Sequence, residues 1–410
     1  MIKTCKEYLN KLCLEIPERP VGSEGNRQAT RFFRNILTSF GWEVDSTLFD
    51  AMDWRENGAT LTVENQSYQV IPSPYSIGGD YYGELIAADT FQDLEDLDCS
   101  DKILLLFGEL TREQLMPKNF VFYNPEHHQK IIALLEKKRP AAILSATSRN
   151  ASLAGGVYPF PLIEDGDFDI PSVYLTDEEG QKLVPMVGNK AVLVSRCMRV
   201  PGIGYNIIGN LGKNSQKRIV ITAHIDAKKG TPGAIDNATG VIILMLLAEL
   251  LREYSGETDI ELVAFNGEDY FAASGQMIYL DQNQNRFNDI ILNINIDGAG
   301  YHKGLSAFSF FDLDEGVKDK VLNVIEGFEG IAEGAQWVQG DHSIFIQQNV
   351  PAIAVSSSWF IDHIDQQDIT HTPKDHPRIV NCQKVVEIAE AISMITVSYT
   401  HLTLPTTPYV

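Results

Sequence analysis

The chain of 410 residues predicts an α/β fold, with a mixed, mostly parallel central sheet flanked by helices and an inserted β-rich domain. After Pro201 apolar strands alternate with helices, which is the pattern of a parallel or mixed sheet. Between Arg55 and Val200 the texture differs: short β-rich runs are separated by Gly, Pro and Asp clusters. The length also exceeds what one hydrophobic core usually supports. The expected division is a main unit over 1–54 and 201–396, an insert over 55–200, and a tail over 397–410.

Taken in order, the N-terminal twenty residues form an amphipathic helix without the apolar core of a signal peptide. Gly22, Ser23 and Gly25 make a turn, Asn26 to Phe40 carries helical periodicity, and Gly41 stops it. Trp42 to Phe49 is a strand. In the insert, ATLTVE, ELIAAD, KILLLFG, AAILSAT and PSVYLT are strands, with one helix over Glu126 to Lys138. His127 and His128 at its start read as capping or surface residues, because nothing around them supports ligation. Beyond Pro201, RIVITAH, IELVAFN, DIILNINI, LSAFSFF and AIAVSSS are strands. Helices are expected over Ala238 to Arg252, near Ser274 to Leu280, and from Asn381 to Thr396. The run VSYTHLTLPT from Val397 matches a translated sequencing-library adapter, so Val397 to Val410 is read as non-native.

The formal charge of −22 excludes nucleic acid, which needs a basic face, and disfavours anionic membranes. No run reaches the roughly 20 apolar residues of a membrane span. The cysteines (Cys5, Cys13, Cys99, Cys197, Cys382) are odd in number and scattered, which fits reduced thiols in a cytoplasmic protein.

Five pieces of the second half carry chemistry, each at the C-terminal end of an expected strand, where open α/β sheets place their ligands. In AHIDAKKGTPGAIDNATG, His224 and Asp226 share one strand face. His224 is a candidate ligand and Asp226 a carboxylate that fixes its tautomer. Asp236 sits at a helix entry, as an N-cap does, or bridges two metals. In AFNGEDYFAASG, the adjacent acids Glu268 and Asp269 follow an apolar strand, which is costly unless a cation or proton relieves their repulsion. One can ligate while the other serves as base. Asp297 ends NINID, Asp341 and His342 open GDHSIF, and His371 lies in ITHTPKDHP. Zinc accepts this mixture of N and O ligands.

The order H-x-D, D-N-A-[ST]-G, N-G-E-[ED], a strand-ending D, D-H and H-T-P-x-D resembles the zinc aminopeptidase family that includes bacterial aminopeptidases, glutamate carboxypeptidase and glutaminyl cyclase. PVGSEGNRQATRFFRNILTSFGWEV resembles that family's N-terminal segment, and 55–200 resembles its protease-associated insert. The resemblance implies two Zn²⁺: His224 and Asp297 on one, Asp269 and His371 on the other, Asp236 bridging. It also implies Asp226 orienting His224, Glu268 as general base, and a peptide substrate. His342 is a candidate donor to the oxyanion. Asp269 departs from the Glu usual there, which points to altered affinity at that metal. Carboxypeptidase, glutaminyl cyclase and a non-catalytic relative are the alternatives on this scaffold. Release of N-terminal residues is favoured, because a carboxypeptidase would hold the substrate carboxylate with an arginine cluster. Between Asp236 and His371 only Arg252 and Arg286 occur, outside the motifs. Lys228 and Lys229 are the counter-indication.

Overall fold

A computed structural model describes residues 1–16, 18–120, 124–149, 154–213, 215–269, 274–337 and 339–400. The N-terminal segment forms α1 (Ile2–Asn10), extended by a π-helical turn, and α2 (Glu24–Ser39). Ser23 caps α2 by accepting from Asn26 N at 3.1 Å, and Gly41 leaves it with φ +87°, a conformation that glycine adopts at no steric cost.

The chain then enters β1 (Glu43–Val63), followed by β2 (Gln66–Tyr68), β3 (Ile71–Pro72) and β4 (Gly79–Ala88). Helix α3 (Phe91–Asp96), β5 (Ile103–Leu106), α4 (Glu126–Lys138), β6 (Ala142–Thr147), β7 (Ser172–Thr176) and α5 (Asp177–Leu183) complete the middle region. Its strands β4, β5, β6 and β7 are mutually parallel. The sequence pattern foresees only α4 here. Helix α3 carries a single buried apolar residue, Leu94, and is signalled by its Thr90–Asp93 capping box. Helix α5 contains Gly180, a poor helix former. A Cβ at Gly180 would lie 2.3 Å from the Ala146 Cβ, so close packing on β6 is what requires it.

The return strand β8 (Lys190–Leu211) leads into β9 (Arg218–His224), α6 (Thr239–Leu250), β10 (Asp259–Phe265), α7 (Ser274–Asn283), β11 (Ile290–Ile296) and β12 (Ser306–Phe311). Helices α8 (Glu315–Ile325), α9 (His342–Ile346), α10 (Ser358–Asp362) and α11 (Cys382–Thr400) and strands β13 (Ile331–Glu333) and β14 (Ala352–Ser357) follow. The strand order is β13-β12-β14-β11-β9-β10-β8-β4-β5-β6-β7-β3. Strands β10, β9, β11 and β14 run parallel at its centre, and β8 and β12 flank them antiparallel.

Helix α6 is buried from Thr239 to Ala248, as expected of a helix apolar on every face. It packs with α1, α2 and α11 on one side of the sheet. A separate apolar cluster around Phe265, Tyr279 and Phe345 covers another part of it.

The junctions at 54/55 and 200/201 are not linkers. Strands β1 and β8 pair antiparallel from Glu43↔Asn210 to Val63↔Ala191, broken only by a bulge between Glu56 and Ala59. At the other end, α11 runs past Thr396 to Thr400, and Tyr399 donates to Ile291 O at 3.1 Å. The remainder of the segment read as non-native, 401–410, lies outside the described residues. All five cysteines are free. Among the described residues no helix is long and apolar enough to cross a membrane.

Candidate active site

His224 is the last residue of β9, Glu268 and Asp269 follow β10, and Asp297 follows β11. The topology therefore gathers them at one edge of the parallel strands, joined by Asp236 from the loop before α6 and His371 from the loop after α10. The two carboxylate oxygens of Asp236 face different imidazoles. Its Oδ1 lies 3.1 Å from His224 Nε2 and its Oδ2 lies 3.2 Å from His371 Nε2. Asp297 Oδ1 stands 3.6 Å from His224 Nε2, and Asp269 Oδ1 stands 2.9 Å from His371 Nε2. Two triads result, His224–Asp236–Asp297 and Asp236–Asp269–His371, each with its ligand-type atoms within 4.8 Å of one another.

These residues fit metal. His224 Nε2 and Asp269 Oδ2 are buried without a hydrogen-bond partner, which native structures rarely tolerate unless something else satisfies the atom. The donor set of imidazole nitrogens and carboxylate oxygens is one that zinc accepts.

Asp226 works one step back. Its Oδ1 accepts from Gly267 N at 2.8 Å and Glu268 N at 3.3 Å, and its Oδ2 accepts from Asp269 N at 3.1 Å. It also faces His224 Nδ1 at 3.6 Å, a charge contact too long for a hydrogen bond. One carboxylate thus shapes the Glu268–Asp269 turn and biases the His224 ring.

The electrostatics follow from crowding acids in a dry place. Burial, reinforced by Asp297, Asp269 and Asp341, pushes the Glu268 carboxyl well above the usual carboxylate range, with His224 opposing. Burial and Asp236 raise Asp269 likewise. Burial opposes charge on both imidazoles, yet Glu268 and neighbouring carboxylates drive His224 well up, and Asp269 and Asp236 do the same for His371.

His371 has φ +63°, an uncommon conformation for a side chain with a Cβ, which persists only where the surroundings over-determine it. Part of those surroundings comes from the middle region. A Cβ at Gly155 would lie 2.8 Å from His371 Nδ1, and Gly156 N donates to Thr370 O at 3.0 Å.

His342 is in a different position from the candidate ligands. It is fully buried, with Nε2 2.9 Å from Trp337 O and its ring against Trp337 and Phe311. The residues lining the site cavity include Trp337 but not His342. Asp341 accepts from Gln276 Nε2 at 2.7 Å, and burial raises it to about 7.

Three supports received no role from the sequence, although Asp375 ends the H-T-P-x-D motif and Asn266 opens N-G-E-[ED]. Asp375, fully buried, accepts from Ile235 N at 2.7 Å and Asp236 N at 3.0 Å, and burial raises it to about 7. Arg19 donates to the carbonyls of Leu12, Ile225, Pro232 and Gly233. Asn26 and Asn266 exchange side-chain amide bonds at 2.7 and 2.8 Å. His128 corrects the sequence reading: it is buried rather than capping. His127 Nε2 and His128 Nε2 both converge on Glu113 Oε1, at 2.8 and 3.2 Å.

Glu113 belongs to the site cavity, which encloses about 630 Å³. The middle region contributes Gln114, Met116 and Glu164 to its lining, and the second half of the chain contributes Trp337, Phe360 and Ile364 together with Glu268 and Asp269.

A carboxylate-and-imidazole centre at the strand ends of such a sheet, opening into a peptide-sized cavity, defines the class: a metal-dependent peptidase. Residues 206–396 match the profile of Peptidase family M28. An uncharacterized protein, YfbL, of Escherichia coli K12 is 25% identical over 50% of this chain and 75% of its own length. The fold is that of an aminopeptidase from Aneurinibacillus sp. strain AM-1, with a TM-score of 0.75 at 18% identity, covering 96% of this chain and 93% of that one. It is also that of BSAP, a zinc aminopeptidase from Bacillus subtilis, with a TM-score of 0.73 at 17% identity over 100% and 97% of the two chains.

Proposed function

We propose that this protein is a dizinc aminopeptidase with Glu268 as its general base. The observation that carries the reading is the bidentate placement of Asp236, one oxygen toward each imidazole, with Glu268 Oε2 4.0 Å from His224 Nε2. The aminopeptidases with the same fold, one of them a zinc aminopeptidase, support it.

His224, Asp236 and Asp297 would hold one ion, and Asp236, Asp269 and His371 the other. When bound, zinc supplies a Lewis acid for the scissile carbonyl and lowers the pKa of water. Glu268 takes the proton of the attacking water and returns it to the departing amine. Asp226 holds the Glu268 backbone, so that the carboxyl is aimed before substrate arrives. The surplus of carboxylates favours a substrate that presents a cationic amine. Trp337, Phe360 and Ile364 exclude water from the reacting groups. The middle region, 55–200, acts as a protease-associated domain that walls one side of the cavity.

The test is elemental analysis after zinc reconstitution, together with product identification on one peptide in free and N-acetylated forms. Two zinc ions per chain and release of the N-terminal residue, abolished by acetylation, are expected. Cleavage that survives acetylation with release of the C-terminal residue overturns the assignment.

A further inference from the structure

The Lys228–Glu164 pair takes no part in the chemistry above. Lys228 lies two residues beyond Asp226, on the peptidase side, whereas Glu164 arrives from the middle region. Nζ and Oε2 are 2.8 Å apart, and Glu164 is fixed by Gln114 Nε2 at 2.7 Å. All three line the cavity that contains Glu268 and Asp269. Lys228 is the sole lysine or arginine among the described residues lining it, in company with Glu113, Glu164 and Asp365.

A strut between the two halves does not need charges. Replacing a buried ion pair with apolar residues is often neutral or stabilising, and the same cavity is lined by apolar residues such as Met116 and Phe120. A cation retained in a catalytic cavity otherwise lined by acids selects for something anionic. An ammonium is a point charge rather than a planar fork, so it suits a carboxylate whose angle of approach varies with peptide length. The cavity lies within the ~300–1,000 Å³ range of pockets that enclose a small ligand, which is room for a di- or tripeptide.

We infer that Lys228 forms a subsite for the C-terminal carboxylate of the substrate, so that short peptides with a free C-terminus are the preferred substrates. This rests on the aminopeptidase reading. Glu164 limits the pull of Lys228 and holds it at the cavity wall, and the middle region thereby takes part in substrate selection.

The experiment compares Leu-Gly, Leu-Gly-Gly and Leu-Gly-Gly-Gly as free acids and as C-terminal amides, using the zinc-loaded full chain. In the wild type, kcat/KM is expected to favour the free acid at least tenfold for the two shorter peptides, and less for the longest. In Lys228→Met that ratio falls toward one, and in Glu164→Gln it rises. A ratio near one in the wild type, or one unchanged in Lys228→Met, overturns the inference. If Lys228→Met fails to fold, the direction of change in Glu164→Gln decides. Calorimetric Kd values for the same acid–amide pairs on Glu268→Gln, with and without Lys228→Met, test the subsite without turnover. The identity of the released residue separately tests the direction of cleavage, so the two readings can fail independently.

Discussion

Glu268 and Asp269 are neighbours in sequence, yet their side chains diverge: Asp269 points to His371 and Glu268 toward His224. Asp226 enforces the turn that separates them. In Glu268→Gln the amide keeps the shape but accepts no proton. Turnover should fall by about 10²–10⁴-fold while zinc content stays near that of the wild type. Asp269→Ala should instead lose metal, and equal zinc content in both variants would assign their roles wrongly. The raised imidazoles give a second expectation. A ligand must be unprotonated to bind metal, and neighbouring carboxylates hold His224 and His371 protonated to higher pH than usual. Zinc affinity, measured by chelator competition, should therefore weaken on acidification from pH 8 to 6, by about tenfold per pH unit for each proton displaced. A flat profile would mean that the imidazoles are neutral before metal arrives.

Two of the loops that carry the candidate ligands are braced by residues remote in sequence. Asp375 holds the backbone at Asp236, Asn26 holds Asn266 at the end of β10, and Arg19 ties the loop at Pro232 and Gly233 to the N-terminal segment. Arg19→Met would leave four carbonyls without their donor, each at a cost of about 1–3 kcal/mol in full burial. The expected loss is at least about 4 kcal/mol of unfolding free energy by chemical denaturation, and a loss below about 1 kcal/mol would show that water replaces the guanidinium. The strands, and the residues that gather at their ends, were legible in sequence, because apolar runs ending in His, Asp or Glu report both the strand and where it stops. Helix α4 was legible in its position. The braces were not, since a single Arg, Asn or Asp far from its partner leaves no periodic signal. Helices α3 and α5 are too short to repeat a pattern, and the buried state of His128 depends on Glu113, which nothing in the local sequence links to it.

At the scale of the whole molecule, the two regions are spliced by paired strands rather than joined by linkers. Composition marks the boundaries near residues 54 and 200 but cannot show that both fall within one ladder. Amide exchange through 43–54 and 200–211 should accordingly be as slow as in β9 and β10, with faster exchange confined to the bulge between Glu56 and Ala59. Rapid exchange throughout these spans would mean that the ribbon opens and the regions move independently. The lining of one cavity by both regions agrees with a fixed relation between them.

The ribbon also bears on how the chain finds its fold. Residues 1–54 and 201–396 must meet although the whole middle region separates them, and closing a flexible loop of that length costs about 4 kcal/mol, plus a constant, from the logarithmic length dependence alone. Because β1 and β8 enter and leave the middle region side by side, a middle region that has already folded presents its two ends to the peptidase halves as a tight hairpin does. The middle region then acts as an intramolecular template. A core substitution there, such as Leu105→Ala on β5, should slow refolding of the catalytic half measured by recovery of activity, though it touches no residue of the site.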